Sequence, residues 1–345
     1  YLRVSSSYVR PNPSSLGLLF RMAKVLITTV PFGENNYFPL DLLENAGIEY
    51  LINPHNKKLT ENQLSELIGD FEVLIAGTEP ITDKVMSQAP KLKLISRVGI
   101  GLDSVDLNAA KKRGIKISYT PDAPAPAVAE LSLSMILTLL RSVHVSNLQM
   151  HHGKWERIFG RRLTDVTVGI IGVGRIGTHL LRCMSGFGKI HVLANDIMPN
   201  NQLNHDFNLE WVTKQQIYKE SDIISLHLPL TSLTRNMICR EQLLQMKKGA
   251  FVINTSRGGI INEDDLHKAM EEGHLGGAAI DVFEKEPYTG KLVEIDRCLL
   301  TAHMGSMSID CRSQMEIEAT EEAVRFLAGK PLESEVPQSE YDIQG

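Results

Sequence analysis

Cysteine is scarce in this chain of 345 residues. Its four copies, Cys183, Cys239, Cys298 and Cys311, lie far apart, and no C-x-x-C pair or Cys/His ligand spacing occurs. That argues against a disulfide framework or a zinc module and for reduced thiols in a reducing compartment. Long hydrophobic runs are also missing: none approaches the about 18–20 residues of a membrane span, so no membrane partner is expected. A large excess of one charge sign is lacking too, and a net charge of −5 gives no reason to expect a nucleic-acid partner. What is present is ordinary for a soluble globular protein, 43% hydrophobic and 22% charged residues. At roughly 100–200 residues per domain, the length predicts two domains. A cytoplasmic location follows as an expectation.

The chain is organised around residues 166–196, VTVGIIGVGRIGTHLLRCMSGFGKIHVLAND. Val166, Val168, Ile170 and Ile171 read as a buried strand entering the run Gly172-Val173-Gly174-Arg175-Ile176-Gly177. Gly172 permits a tight turn, Gly174 lets a pyrophosphate approach the backbone, and Gly177 lets the next helix pack on the sheet. That helix N-terminus offers unpaired N–H groups and a positive dipole end to phosphates. Asp196, 22 residues after Gly174, is placed to take both hydroxyls of an adenosine ribose. The residues after it, Ile197-Met198-Pro199-Asn200, hold no Arg or Lys for a 2′-phosphate, so the expected dinucleotide is NAD.

Residues 1–21 lack acids and carry three Arg and five Ser. They are expected to be an extension, disordered or non-native (a transit peptide is conceivable), ahead of Met22. From there strands are expected at 24–30, 50–53, 73–76, 92–98 and 115–119. Helices are expected at 40–46, 60–68, 82–87 and 106–113. Such alternation predicts a parallel α/β layer, without a glycine fingerprint after its first strand. Pro121 to Pro126 reads as punctuation. A long apolar helix at 127–141 should be buried between domains or subunits. Residues 142–162 read as polar and irregular. His151-His152 is a poor metal pair because adjacent histidines diverge on a helix, and no metal is expected. The second series starts at 166, with later strands at 222–228, 250–254, 277–281 and 299–302. Helices follow at 241–246, 262–272 and 315–328, and 332–345 reads as a poorly ordered acidic tail.

The last helix has no strand partner within that series. The expected architecture is therefore α/β, with a Rossmann dinucleotide-binding domain at 126–305 inserted into a discontinuous flavodoxin-like substrate-binding domain, 22–125 with 306–331. Crossings near Pro126 and Gly305 would form a hinge, with the active site at the carboxyl ends of the Rossmann strands.

Three stretches place ionisable groups just past strand ends. Arg257, in Asn254-Thr255-Ser256-Arg257-Gly258-Gly259, could grip a carboxylate bidentately. Asp281 ends another strand, and Glu286 is held extended before Pro287. His303 ends the last strand, and a carboxylate such as Glu286 beside it would suit it to acid–base work near neutral pH. Each also has a plain structural reading: a surface Arg, a solvated acidic loop, a lone histidine.

The stretches RVGIGLDSVDL (97–107), GIIGVGRIG (169–177), SLHLPLT (225–231), INTSRGGIINEDDL (253–266), AAIDVFEKEP (278–287) and LLTAHMGS (299–306) resemble the D-isomer-specific 2-hydroxyacid dehydrogenase family. The likeness covers nearly all of 22–331. It implies that Arg257 fixes the substrate carboxylate and that His303 exchanges the proton, with Glu286 supporting it. It implies cofactor contacts at Gly172, Gly174, Arg175, Ile176, Gly177, Asp196, His227, Thr234, Thr255, Ser256, Asp281 and Gly305. Substrate contacts are implied at Arg97, at the backbone N–H groups of Val98 and Gly99, and at Arg257 and His303. The helix after Pro126 resembles the family's dimer-forming arm, so a homodimer or a dimer of dimers is expected. Where the family usually has Pro before the histidine, this chain has Ala302. The formate dehydrogenase branch carries Gln where this chain has Glu286.

HGKWER (152–157) and Arg97 are similar to the phosphoglycerate dehydrogenase branch, and Arg97, Lys154, Arg157 and Arg161 could serve a phosphate. That branch often carries an Arg where this chain has Ala76-Gly77-Thr78. No regulatory domain is expected after Pro331. The implied reaction is hydride transfer at C2 of a D-2-hydroxy acid, first 3-phosphoglycerate (a step of serine biosynthesis), then hydroxypyruvate or glyoxylate. The alternative class is a non-enzymatic NAD(H)-sensing corepressor, since the family includes such proteins.

Overall fold

The computed structural model describes residues 24–344; the expected N-terminal extension lies outside them. The chain separates into two compact units, one of residues up to 121 together with 313 onward, the other of 122–312.

The first unit is built on a parallel sheet of β1 (Val25–Ile27), β2 (Tyr50–Ile52), β3 (Val73–Ala76), β4 (Leu94–Arg97) and β5 (Lys116–Ser118). Its order is β2-β1-β3-β4-β5, the flavodoxin-like winding. β1 and β3 are wholly buried because helices cover a parallel sheet on both faces, which is why they read as continuous apolar runs. Helix Glu61–Leu67 starts on a reciprocal capping box: Thr60 Oγ1 accepts from Gln63 N–H, and Gln63 Oε1 accepts from Thr60 N–H at 3.0 Å.

The second unit carries β6 (Thr167–Ile171), β7 (His191–Asn195), β8 (Leu209–Trp211), β9 (Ile223–Leu226), β10 (Phe251–Asn254), β11 (Gly277–Ile280) and β12 (Cys298–Leu300). All pairings are parallel, in the order β12-β11-β10-β9-β6-β7-β8. Read from β8, this is the Rossmann winding with one added strand. The order reverses between β6 and β9, the switch point at which ligands of open α/β sheets bind.

Four expectations need correcting. Helix Pro124–Leu140 begins inside the expected proline punctuation, because a proline in the first helical turn loses no hydrogen bond. The stretch expected to be irregular contains helix Val143–His151, entered through Ser142 at φ +49°. The short edge strand β8 was missed because three residues, Leu209, Glu210 and Trp211, show no readable period. The expected acidic tail is ordered against the first unit. Ser118 and Glu335 form an antiparallel bridge, Val336 is buried, and helix Gln338–Gln344 follows. Gln344 accepts from Leu107 N–H at 2.8 Å and donates to the Leu102 and Val105 carbonyls, bonds that a charge count along the tail cannot reveal.

Candidate active site

The glycine loop leaves β6 at Gly172, whose φ is +93°. A Cβ there would lie 2.2 Å from the His227 carbonyl oxygen, and one on Gly177 would lie 2.3 Å from the Gly172 carbonyl. These two glycines are demanded by backbone packing. Gly174, the N-cap of helix Arg175–Ser185, has nothing within 4 Å of a would-be Cβ, so its face is open for another molecule's atoms. Asp196 follows β7 and bends back over this loop. One of its oxygens accepts from Val173 N–H at 2.7 Å and the other from Met198 N–H at 2.9 Å. Each carboxylate oxygen keeps a second lone pair for a hydroxyl. Open backbone at Gly174 and a fixed carboxylate at Asp196 suit a dinucleotide.

The rest of the proposed cofactor set is more mixed. Arg175 turns its guanidinium to Asp122 at 2.6 Å, so its side chain serves the start of the unit. Ile176 is half-buried in the helix behind the loop. His227 extends β9; its Nε2 lies 2.9 Å from Ser225 Oγ, and its Nδ1 is buried with no hydrogen-bond partner among the described residues. Burial pushes His227 down to about 4, so the ring is neutral at neutral pH. Thr234 donates to the Pro229 carbonyl at 2.6 Å and accepts from Thr231 N–H, closing its own loop.

Arg257 and His303 stand after β10 and β12, the two strands flanking β11. Asn254, at the end of β10, shapes the arginine loop: its Nδ2 donates to the Arg257 carbonyl at 2.8 Å. Its Oδ1 accepts from Ser256 N–H and Ser256 Oγ. Thr255 Oγ1 lies 2.8 Å from Ser132 Oγ of the long helix. A Cβ at Gly258 would strike the Phe283 backbone at 2.0 Å, so this loop and the Glu286 loop touch main chain to main chain.

His303 Nδ1 lies 3.0 Å from Glu286 Oε2 and 3.1 Å from Oε1. Glu286 Oε1 also accepts from Phe283 N–H at 3.2 Å, and Phe283 stacks on Tyr288 with ring centroids 4.1 Å apart. The pair is part-exposed, His303 at 40% and Glu286 at 31%, so it is both fixed and reachable. With Nδ1 turned to the carboxylate, Nε2 is the nitrogen left to face a reacting group. His303 sits at φ +51°, a conformation costing a non-glycine residue roughly 1–3 kcal/mol. Asp281 offsets it. Wholly buried, it accepts from Met304 N–H at 2.7 Å and Gly305 N–H at 2.9 Å, and its carbonyl accepts from His303 N–H. Sequence reasoning overlooked Asn254 and Thr301 as shapers of these loops; the Asn-x-Ser pattern after β10 was the available signal for the first.

In the first unit, Val98 and Gly99, the expected backbone contacts to substrate, have partners of their own. Val98 N–H donates to the Ala76 carbonyl, extending the β3–β4 ladder, and Gly99 N–H donates to Thr120 Oγ1 at 2.8 Å. Both donors are engaged within the unit. Arg97 is 5% exposed and bonds the Ala76 and Val98 carbonyls, so it is no exposed cation for a phosphate. Arg161 pairs with Asp222 at 3.0 Å. Lys154 and Arg157 are exposed.

A family model for the NAD-binding domain of D-isomer specific 2-hydroxyacid dehydrogenases matches residues 133–305. A hydroxypyruvate reductase of Thermotoga maritima is 34% identical over 83% of this chain and 96% of its own length. A D-3-phosphoglycerate dehydrogenase of Methanocaldococcus jannaschii is also 34% identical, over 91% of this chain and 59% of its own. The crystal structure of D-lactate dehydrogenase from Aquifex aeolicus, complexed with NAD and lactic acid, matches with a TM-score of 0.78. It is 28% identical, over 88% of this chain and 96% of that one. The chain belongs to the D-isomer-specific 2-hydroxyacid dehydrogenase family. It is an NAD-dependent oxidoreductase with a Rossmann domain.

Proposed function

We propose that Arg257, Glu286 and His303 carry hydride-linked interconversion of a short 2-keto acid and its D-2-hydroxy acid. The observation that carries this reading is the 3.0 Å contact of His303 Nδ1 with Glu286 beside the Asn254-shaped loop of Arg257. Arg257 binds the substrate carboxylate and so presents C2. His303 delivers a proton from Nε2 to the carbonyl oxygen, or removes it in oxidation. Glu286 fixes the ring's orientation through Nδ1. The loop of Gly172, Gly174 and Gly177, with Asp196, would hold NAD, which would supply or take the hydride when bound. Replacing His303 by Ala should lower kcat by about 10²–10⁴-fold while NADH affinity stays within about twofold. Undiminished turnover removes His303 from the mechanism.

On substrate, the reading favours hydroxypyruvate or glyoxylate over 3-phosphohydroxypyruvate. Arg97 and Arg161 are engaged within their own units, and the end of β3 with the loop after it offers Ala76, Gly77 and Thr78 rather than a cation. Lys154 and Arg157 support the phosphorylated substrate as the second reading. Comparing kcat/KM for the three keto acids decides between them; a preference of more than about tenfold for the phosphorylated one reverses the order.

The chain is also read as a homodimer. Val143, Met150, Trp155 and Phe159 are exposed along and after helix Val143–His151, an apolar set that a second copy would cover. Light scattering at the monomer mass rejects this.

A further inference from the structure

Thr301 is not needed for binding cofactor or substrate in the reading above, yet it sits two residues before His303. Its N–H donates to the Ile280 carbonyl at 3.1 Å, the last rung of the β11–β12 pairing. Its hydroxyl then turns inward and donates to Asp281 Oδ1. Asp281 Oδ1 thus receives two donors, Thr301 Oγ1 and Met304 N–H, one on each side of His303, while Oδ2 receives Gly305 N–H. His303 is the residue between these anchors, and its own N–H is bound by the Asp281 carbonyl. The residue linking Thr301 to His303 is Ala302, which has no ring to fix its φ, and His303 holds an unfavourable positive φ. The backbone therefore has little local reason to present the imidazole to Glu286. The buried carboxylate, gripped from both sides, supplies that reason.

We propose that Thr301 is a positioning residue for His303, acting through the Asp281 carboxylate. The inference rests on His303 being the proton donor and acceptor. The Thr301 bond fixes the near side of the loop, as Met304 and Gly305 fix the far side. Losing it removes the side-chain anchor on the near side and leaves only the main-chain bonds of Thr301 and His303 there. Displacement of a catalytic group by about 1 Å can cost about 10²-fold in rate. Substrate carboxylate binding, which this reading assigns to Arg257 on a loop shaped by Asn254, would be untouched.

The test compares Thr301→Val, Thr301→Ser and His303→Ala in steady-state reduction of whichever keto acid the wild-type enzyme turns over fastest. NADH binding is measured by fluorescence alongside. Expected for Thr301→Val is a fall in kcat of roughly 10- to 100-fold, with KM and the NADH Kd within about twofold. Thr301→Ser keeps the hydroxyl and should restore kcat to within about threefold of wild type. If Thr301→Val prevents folding, Thr301→Ala reads the same split. Wild-type kcat in the folded Val or Ala variant, while His303→Ala is inactive, overturns the positioning role alone. An equal loss in the Ser variant, or a loss confined to KM or NADH binding, overturns it too. Full activity of His303→Ala overturns the underlying reading instead.

Discussion

His227 shows how one side chain's surroundings set its behaviour. It follows β9 at the switch point, lies against the glycine loop through its carbonyl, and has a ring pushed down to about 4 by burial. The unfolded chain takes up a proton as pH falls through 6.5, whereas the folded protein does not until about 4. The folded state therefore loses stability as pH drops across that window, and the group has no such effect above it. His227→Gln, which can still reach Ser225, should flatten the fall in Tm between pH 6.5 and 4; an unchanged slope would show that other groups carry it. Legibility at this scale was uneven. Glu286 and His303 could be paired from sequence because both lie just past strand ends. The engagement of the Val98 and Gly99 N–H groups could not, because it depends on Ala76 and Thr120, each 21 or more residues away.

Within the element formed by β6, its loop and helix Arg175–Ser185, the three glycines do different things. Gly172→Ala would push a Cβ against the His227 carbonyl at positive φ and should cost at least about 2–3 kcal/mol of stability. Gly174→Ala meets nothing in the protein, so Tm should stay within a few degrees while NADH binding weakens about tenfold or more. Calorimetry on both variants checks the contrast; unaltered NADH affinity in Gly174→Ala would take Gly174 out of the cofactor site. This element was legible in full, because its signals of apolar strand, spaced glycines and amphipathic helix are all local. Helix Pro124–Leu140 was legible as buried but not in its start, since a proline is equally at home in a turn and at a helix N-terminus.

For the whole molecule, the C-terminal segment belongs to the first unit's stability. Removing residues 332–345 would uncover Val336, break the Ser118–Glu335 bridge and free the groups that Gln344 satisfies. A loss of about 2–4 kcal/mol is expected for that unit. Denaturant unfolding should show an early transition absent from the full chain, with NADH binding by the second unit retained; a single unchanged transition would count against it.

By itself, the sequence determined the α/β class, the two parallel sheets, the NAD fingerprint and the strand ends from which Arg257, Glu286 and His303 project. Those features follow from periodicity, turn chemistry and spacing within some thirty residues, which a linear chain displays openly. Tertiary structure alone decided which donors are already engaged. Arg97 turns to backbone carbonyls, Asp281 grips the loop around His303, and the acidic tail becomes a bridge and a helix. The physical reason is that hydrogen-bond satisfaction is set by partners distant in sequence. Asp281 lies 20 residues or more from the loop donors it binds, and Gln344 lies 237 from Leu107. The glycine loop and the Asp196 carboxylate over it were readable in the chain; the grip that aims His303 had to be seen folded.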